Sequence, residues 1–199
     1  MPPPETFPLE RLPAEIRNMI YYEALVIPKP GFIRLDRGST FPDSNPACPL
    51  LSTSSTIYKE AVKIYYGLNT FSLFDLDLLD RWLRSVRPKS HTLISRISVR
   101  VSGQECVKGL KSLAECVGLK ELHLDIPVRT LAVNMYNFSY PMVRNLLKLR
   151  GLKTVTVETQ CLENQPRLKA RKELLIKALE ILKEPRKLTG QEEKDYVDT

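Results

Sequence analysis

One spacing recurs four times and constrains the fold more than any other feature: an apolar residue, two residues, an apolar residue, one residue, an apolar residue. It falls at Leu68/Phe71/Leu73, Ile94/Ile97/Val99, Leu119/Leu122/Leu124 and Leu152/Val155/Val157. The middle positions are 26, 25 and 33 residues apart (Phe71 to Ile97, Ile97 to Leu122, Leu122 to Val155), which suits a repeat of one strand plus one helix. The alternation in "ISRISVRV", "LKELHLDI" and "LKTVTVE" is that of strands with one buried face. Helical spacing fills the intervals: Leu78, Leu79, Trp82, Leu83 and Val86; then Cys106, Val107, Leu110, Leu113, Ala114 and Val117; then Met142, Val143, Leu146, Leu147 and Leu149. Strand–helix–strand order with right-handed crossovers predicts an α/β fold, a parallel sheet whose helices cover one face and leave the other open.

Residues at equivalent offsets then align as rows across the open face. The rows are Ser72, Ser98, His123 and Thr156; Phe74, Arg100, Asp125 and Glu158; and Thr70, Arg96, Glu121 and Thr154. Small, polar and charged, they suit protein recognition, and Arg96, Arg100, His123, Asp125 and Glu158 are the candidate contacts. A solvated face without a partner has the same composition. The last interval is longer by about eight residues, and the excess falls in residues 127–141, where Tyr136 and Phe138 are candidate partner contacts.

Two helices precede the repeats. In "LPAEIRNMIYYEAL", Pro13 suits a helix start and Glu15 its first turn. Leu12, Ile16, Ile20 and Ala24, widened by Met19 and Ile27, predict the buried stripe, with Glu15, Arg17, Asn18 and Tyr21 turned away from it. Pro28 and Pro30 end this helix, and an irregular connection follows, with one short extended piece at Phe32–Leu35. "PLLSTSSTIYKEAVKIYYG" predicts a single second helix with Leu50, Ser54, Ile57, Ala61, Ile64 and Leu68 on one face and Gly67 as a left-handed cap.

"FPLERLPAEIRNMIYYEALV" followed by "LLSTSSTIYKEAVKIYYGLNTFSL" resembles the F-box-like domain of filamentous-fungal proteins, a leucine-proline-x-glutamate-isoleucine-arginine helix and then a helix ending in tyrosine-glycine-x-asparagine-threonine-phenylalanine. The match covers about the first 75 residues. In the F-box family such a module docks on the Skp-type adaptor of a cullin–RING ubiquitin ligase. The resemblance thus implies Leu9, Leu12, Pro13, Ile16 and Ile20 as adaptor-binding residues. The strand–helix units resemble leucine-rich repeats, irregular because Leu76, Ser102, Pro127 and Gln160 stand where that consensus places Asn or Cys. Fungal F-box proteins often carry such repeats, so the two halves agree. The expected organisation is an F-box-like helical module with a long loop at 1–68, packed on a leucine-rich-repeat-like α/β region at 69–183, and a flexible tail at 184–199.

The net charge of +7 is concentrated in residues 81–111, with eight basic side chains against Glu105, and in residues 167–187, with eight against three glutamates. A basic nucleic-acid-binding module is therefore one alternative, and a scaffold with no adaptor another. In the final basic segment, Leu168, Leu175, Leu179 and Leu182 predict a helix that closes the last repeat. Asp75 in "DLDLLD" is expected to cap a helix. Cys48, Cys106, Cys116 and Cys161 lack metal-site spacing and are expected to be reduced and mostly buried. Phosphate-binding glycine loops, nucleophile elbows and HExxH helices are absent from the sequence, which argues against an enzyme and implies no cofactor or metal. With no secretory start and no membrane-length apolar run, a soluble chain of the cytoplasm or nucleus is expected, whose partners are the adaptor and an unknown target protein.

Overall fold

The computed structural model describes residues 9–28, 31–35, 48–101, 106–127, 149, 151–159, 166–180 and 183. Within them lie five strands: β1 (Ile33–Leu35), β2 (Phe71–Leu73), β3 (Arg96–Arg100), β4 (Glu121–Asp125) and β5 (Thr154–Glu158). Seven helices accompany them: α1 (Ala14–Leu25), α2 (Cys48–Thr53), α3 (Ser55–Leu68), α4 (Leu76–Ser85), α5 (Pro88–His91), α6 (Cys106–Leu113) and α7 (Pro166–Glu180), after a short 3-10 turn at Leu9–Arg11. All pairings are parallel and the strand order is the chain order, β1-β2-β3-β4-β5. Each connection therefore advances the sheet by one strand in one direction. The described residues form a mixed α/β structure, as the apolar spacing predicts.

The register aligns the expected rows. Ile97 pairs with Phe71 and Leu122, and Val155 continues the line. Phe71, Leu73, Ile97, Val99, Leu122 and Leu124 are buried, each contributing about 1.5–3 kcal/mol relative to exposure. Backbone bonds extend the ladder past the strand ends at equivalent places, Lys120 N to Ser95 O (2.8 Å) and Lys153 N to Lys120 O (2.7 Å). Trp82 of α4 lies on Phe71, with ring centroids 4.8 Å apart. Asp75 caps α4 by accepting from Leu78 N at 2.7 Å. α7 packs on β5 and buries Leu168 and Leu179 there.

Four expectations need correction. The extended piece near Phe32 is a member of the sheet: β1 pairs with β2, Ile33 opposite Phe71. The second helix is two, broken where Ser54, extended at φ −151°, caps α3 through Ile57 N (3.2 Å), because its hydroxyl competes for the backbone that a continuous helix would use. α3 runs on through Gly67 and ends at Asn69, also extended, so no left-handed glycine cap forms there. Leu68, expected to point inward, is 40% exposed because it still belongs to that last helical turn. The buried face of α3 is Ile57, Ala61, Val62 and Tyr65.

The boundary expected near residue 68 lies within one continuous core that runs from Tyr21 and Ile57 to Leu152 and Leu179. Asn69, 1% exposed, ties the ends of α1 and α3 together: its amide donates to Leu25 O (2.8 Å) and Tyr65 O (2.9 Å) and accepts from Ile27 N (2.9 Å). That use of both donors and the acceptor explains an asparagine after the tyrosine–glycine pair. Residues 127–141 beyond Pro127, the third expected helix before Leu149, and the tail from 184 lie outside the described residues.

Two substitutions test this packing. A Cβ on Gly109 of α6 would collide with the carbonyl oxygen of Leu76 at the start of α4. Gly109→Ala gains about 1 kcal/mol of helix propensity but overpacks by about 1–3 kcal/mol, so the denaturant midpoint should fall, opposite to the usual result for an exposed helix. Thr159 holds the place that Val101 and Ile126 fill in preceding repeats, and its buried hydroxyl has no partner among the described residues. Thr159→Val should raise the unfolding free energy by about 1 kcal/mol.

Candidate functional site

The first candidate surface is the outer side of α1, and the polar contacts on its inner side create it. The Arg17 guanidinium grips Glu60 of α3 with two hydrogen bonds, Nε to Oε2 at 2.8 Å and Nη2 to Oε1 at 2.5 Å. Tyr21 donates its hydroxyl to the same carboxylate at 3.0 Å. Arg17 Nη1 also donates to Leu12 O at 2.6 Å, and Ser54 donates to Glu10 Oε1 at 2.8 Å, fixing the turn before α1. Arg17, Tyr21 and Leu25, four residues apart in turn, thus form the face held against the body, with Tyr21 and Leu25 buried.

The predicted buried stripe is therefore wrong in direction. Ile16 is 42% exposed, Met19 64% and Ile20 36%, while Tyr21, placed on the outer face by its polarity, is buried. The physical reason is the half-buried carboxylate of Glu60, which accepts from Arg17 and Tyr21. It needs partners, and α1 supplies them from its more polar side. Of the adaptor-binding residues implied by resemblance, Pro13, Ile16 and Ile20 are exposed, whereas Leu9 and Leu12 are half-buried and Leu9 packs on the core. Tyr22 and Ile27 extend the exposed apolar area.

The second surface is the open sheet face. Arg96, Arg100, His123, Asp125 and Glu158 all stand on it in adjacent rows: Arg96 opposite Glu121, and Arg100 opposite Asp125 opposite Glu158. Arg100 Nε bonds Asp125 Oδ2 at 2.8 Å and its guanidinium lies over Phe74, 5.7 Å from the ring centroid. His123 Nδ1 is 2.6 Å from Thr156 Oγ1, and its Nε2 is 3.5 Å from Glu158 Oε2. Tyr136 and Phe138 lie outside the described residues.

Sequence reasoning missed Arg34, which continues the row Ser72, Ser98, His123 on β1, and the exposed Phe32 beside it. The signal was present: the alternation of "FIRL" in residues 32–35 matches Phe71–Leu73, but three strand residues are too few to show a period. The basic stretch 81–111 does not make one patch. Arg96 and Arg100 stand on the open sheet face, whereas Arg81, Arg84 and Lys111 belong to the helical layer behind it and Arg87 stacks on Tyr58 at 4.2 Å.

Compared with known proteins, the chain matches no family model, no curated sequence and no solved structure. Among the described residues no three His, Cys, Asp or Glu side chains converge as a metal site, and no helix is long and apolar enough to cross a membrane. Cys116 is buried, which pushes its thiol up to about 12 and suits a packing role.

The clamp on α1 has a pH signature. The hydrogen bonds from Arg17 hold the Glu60 carboxyl below its ordinary value, while burial, followed by the bond to Glu60, raises the Tyr21 hydroxyl. A depressed carboxyl stabilises the fold above its unfolded value, about 4.3, and that contribution is lost as pH falls through the lower folded value. The stability difference between the wild type and Glu60→Gln should be full at neutral pH and shrink below about pH 4, measured by urea unfolding at each pH.

Proposed function

We propose that the chain is a non-enzymatic protein-interaction module, an F-box-like substrate receptor that docks a Skp-type adaptor of a cullin–RING ubiquitin ligase through α1 and holds a target protein on its open sheet face. The observation that carries this is the outward apolar stripe of α1, Ile16, Met19 and Ile20, on a helix anchored by its polar side. Apolar side chains exposed together on one helix face favour a partner helix or groove, since covering each adds about 1.5–3 kcal/mol. The sequence resemblance in the same segment names the partner class. The division of basic residues between two faces gives a nucleic-acid backbone no continuous track, so that alternative is not favoured. A cytoplasmic or nuclear location accords with such a partner.

Calorimetric titration of the full chain with purified Skp-type adaptor tests the proposal. Binding is expected, little changed by added salt because the contact is apolar. Ile16→Ala with Ile20→Ala should weaken it at least about 100-fold with little change in melting temperature, both residues being outside the core. A folded wild type that does not bind the adaptor overturns the ligase reading.

A further inference from the structure

The open sheet face is not uniform. Across β1 to β4 it carries a concavity of about 400 Å³ lined by Arg34, Ser72, Phe74, Ser98, Arg100 and Asp125. Two guanidinium groups and two hydroxyls face one space. Arg34 has no ion pair among the described residues; its guanidinium lies 5.9 Å from the Phe32 ring centroid. Arg100 is held by Asp125 through Nε, which leaves its terminal nitrogens as donors. Phe74, 49% exposed, forms an apolar wall beside them.

We propose that this concavity receives the carboxylate of a glutamate or aspartate side chain in an extended acidic segment of a partner protein. The charges select that ligand. Arg34 and Arg100 against Asp125 leave one positive charge, which one carboxylate balances. A phosphate dianion would add a second negative charge beside Asp125, and a cation would meet two guanidinium groups. The planar Arg forks suit a carboxylate in two-point contact, and Ser72 and Ser98 offer hydroxyl donors from the same row as Arg34. The neighbouring strands fix the position. Glu121 and Glu158 stand towards β5 and repel an acidic side chain there, so it is confined to the β1–β3 side. An apolar neighbour in the partner segment then meets Phe74, as an anchor beside a charged contact. This inference rests on the open face being the surface that holds the target, and it specifies the target's chemistry.

The test uses the full chain and an array of short random-sequence peptides, each made with glutamate, glutamine, lysine or phosphoserine at a fixed central position, with binders remeasured by fluorescence polarisation. Binders are expected in the glutamate set, weakened about tenfold or more by glutamine at that position, and by Arg34→Ala in the protein. Arg34→Lys should restore part of the affinity, because charge returns without the planar fork. Arg34 stands outside the core, so an unchanged melting temperature shows that Arg34→Ala is folded, and Ser98→Ala gives a second variant that leaves the Arg100–Asp125 pair intact. Tighter binding of the phosphoserine or lysine peptides, no binders to the folded chain, or binding indifferent to Arg34→Ala overturns the proposal. So does self-association that Arg34→Ala abolishes, since the occupant would then be a second copy. Adaptor titration of Arg34→Ala separates the two readings: unchanged docking with lost peptide binding assigns the effect to the sheet, and absent docking with retained peptide binding leaves this proposal standing.

Discussion

Parallel strands cannot be joined by a tight turn, and nearly everything else in this protein follows from that restriction. Each strand must be followed by a return segment, and a right-handed return places that segment on one flank of the sheet. β1 to β5 follow chain order, and α4 and α6, the described helices that follow β2 and β3, pack against each other. The inward residues, from Phe71 to Leu124, are sealed beneath helices, while the outward rows remain available for contact. A core on one side and an open polar face on the other are thus two results of one topology.

The N-terminal helix obeys a different rule. Its attachment depends on Arg17 and Tyr21 reaching a carboxylate on α3 and on Asn69 joining the two helix ends. Polar groups of this kind demand specific partners, so they fix orientation more strictly than an oily stripe would. They also release the oily stripe from any structural duty. Anchoring thus falls to the more polar face of the helix, and its apolar face stays exposed.

That division shows what could be read from the amino-acid order. The strands at Ile97, Leu122 and Val155 were legible, with their register, because a period of two places side chains on known faces whatever surrounds them. The candidate residues Arg96, Arg100, His123, Asp125 and Glu158 fell into place with it. The direction of α1 was not legible, since an amphipathic pattern identifies an apolar face without saying whether the same chain covers it. Ser54 was placed on a helix face for a similar reason: its role depends on a local hydrogen bond that competes with the helix. Arg34 escaped because a three-residue strand acquires its meaning only from its neighbour.

The sequential strand order has an evolutionary corollary. Apart from the clamp on α1, each unit touches mainly the units beside it in the chain, so its stability is close to a sum of nearest-neighbour terms. Duplicating or deleting a whole unit between β2 and β5 would lengthen or shorten the exposed face while preserving the way each remaining unit seats on the next. A lineage carrying this architecture can therefore change the breadth of its exposed face by unequal recombination, leaving the helices that precede it untouched.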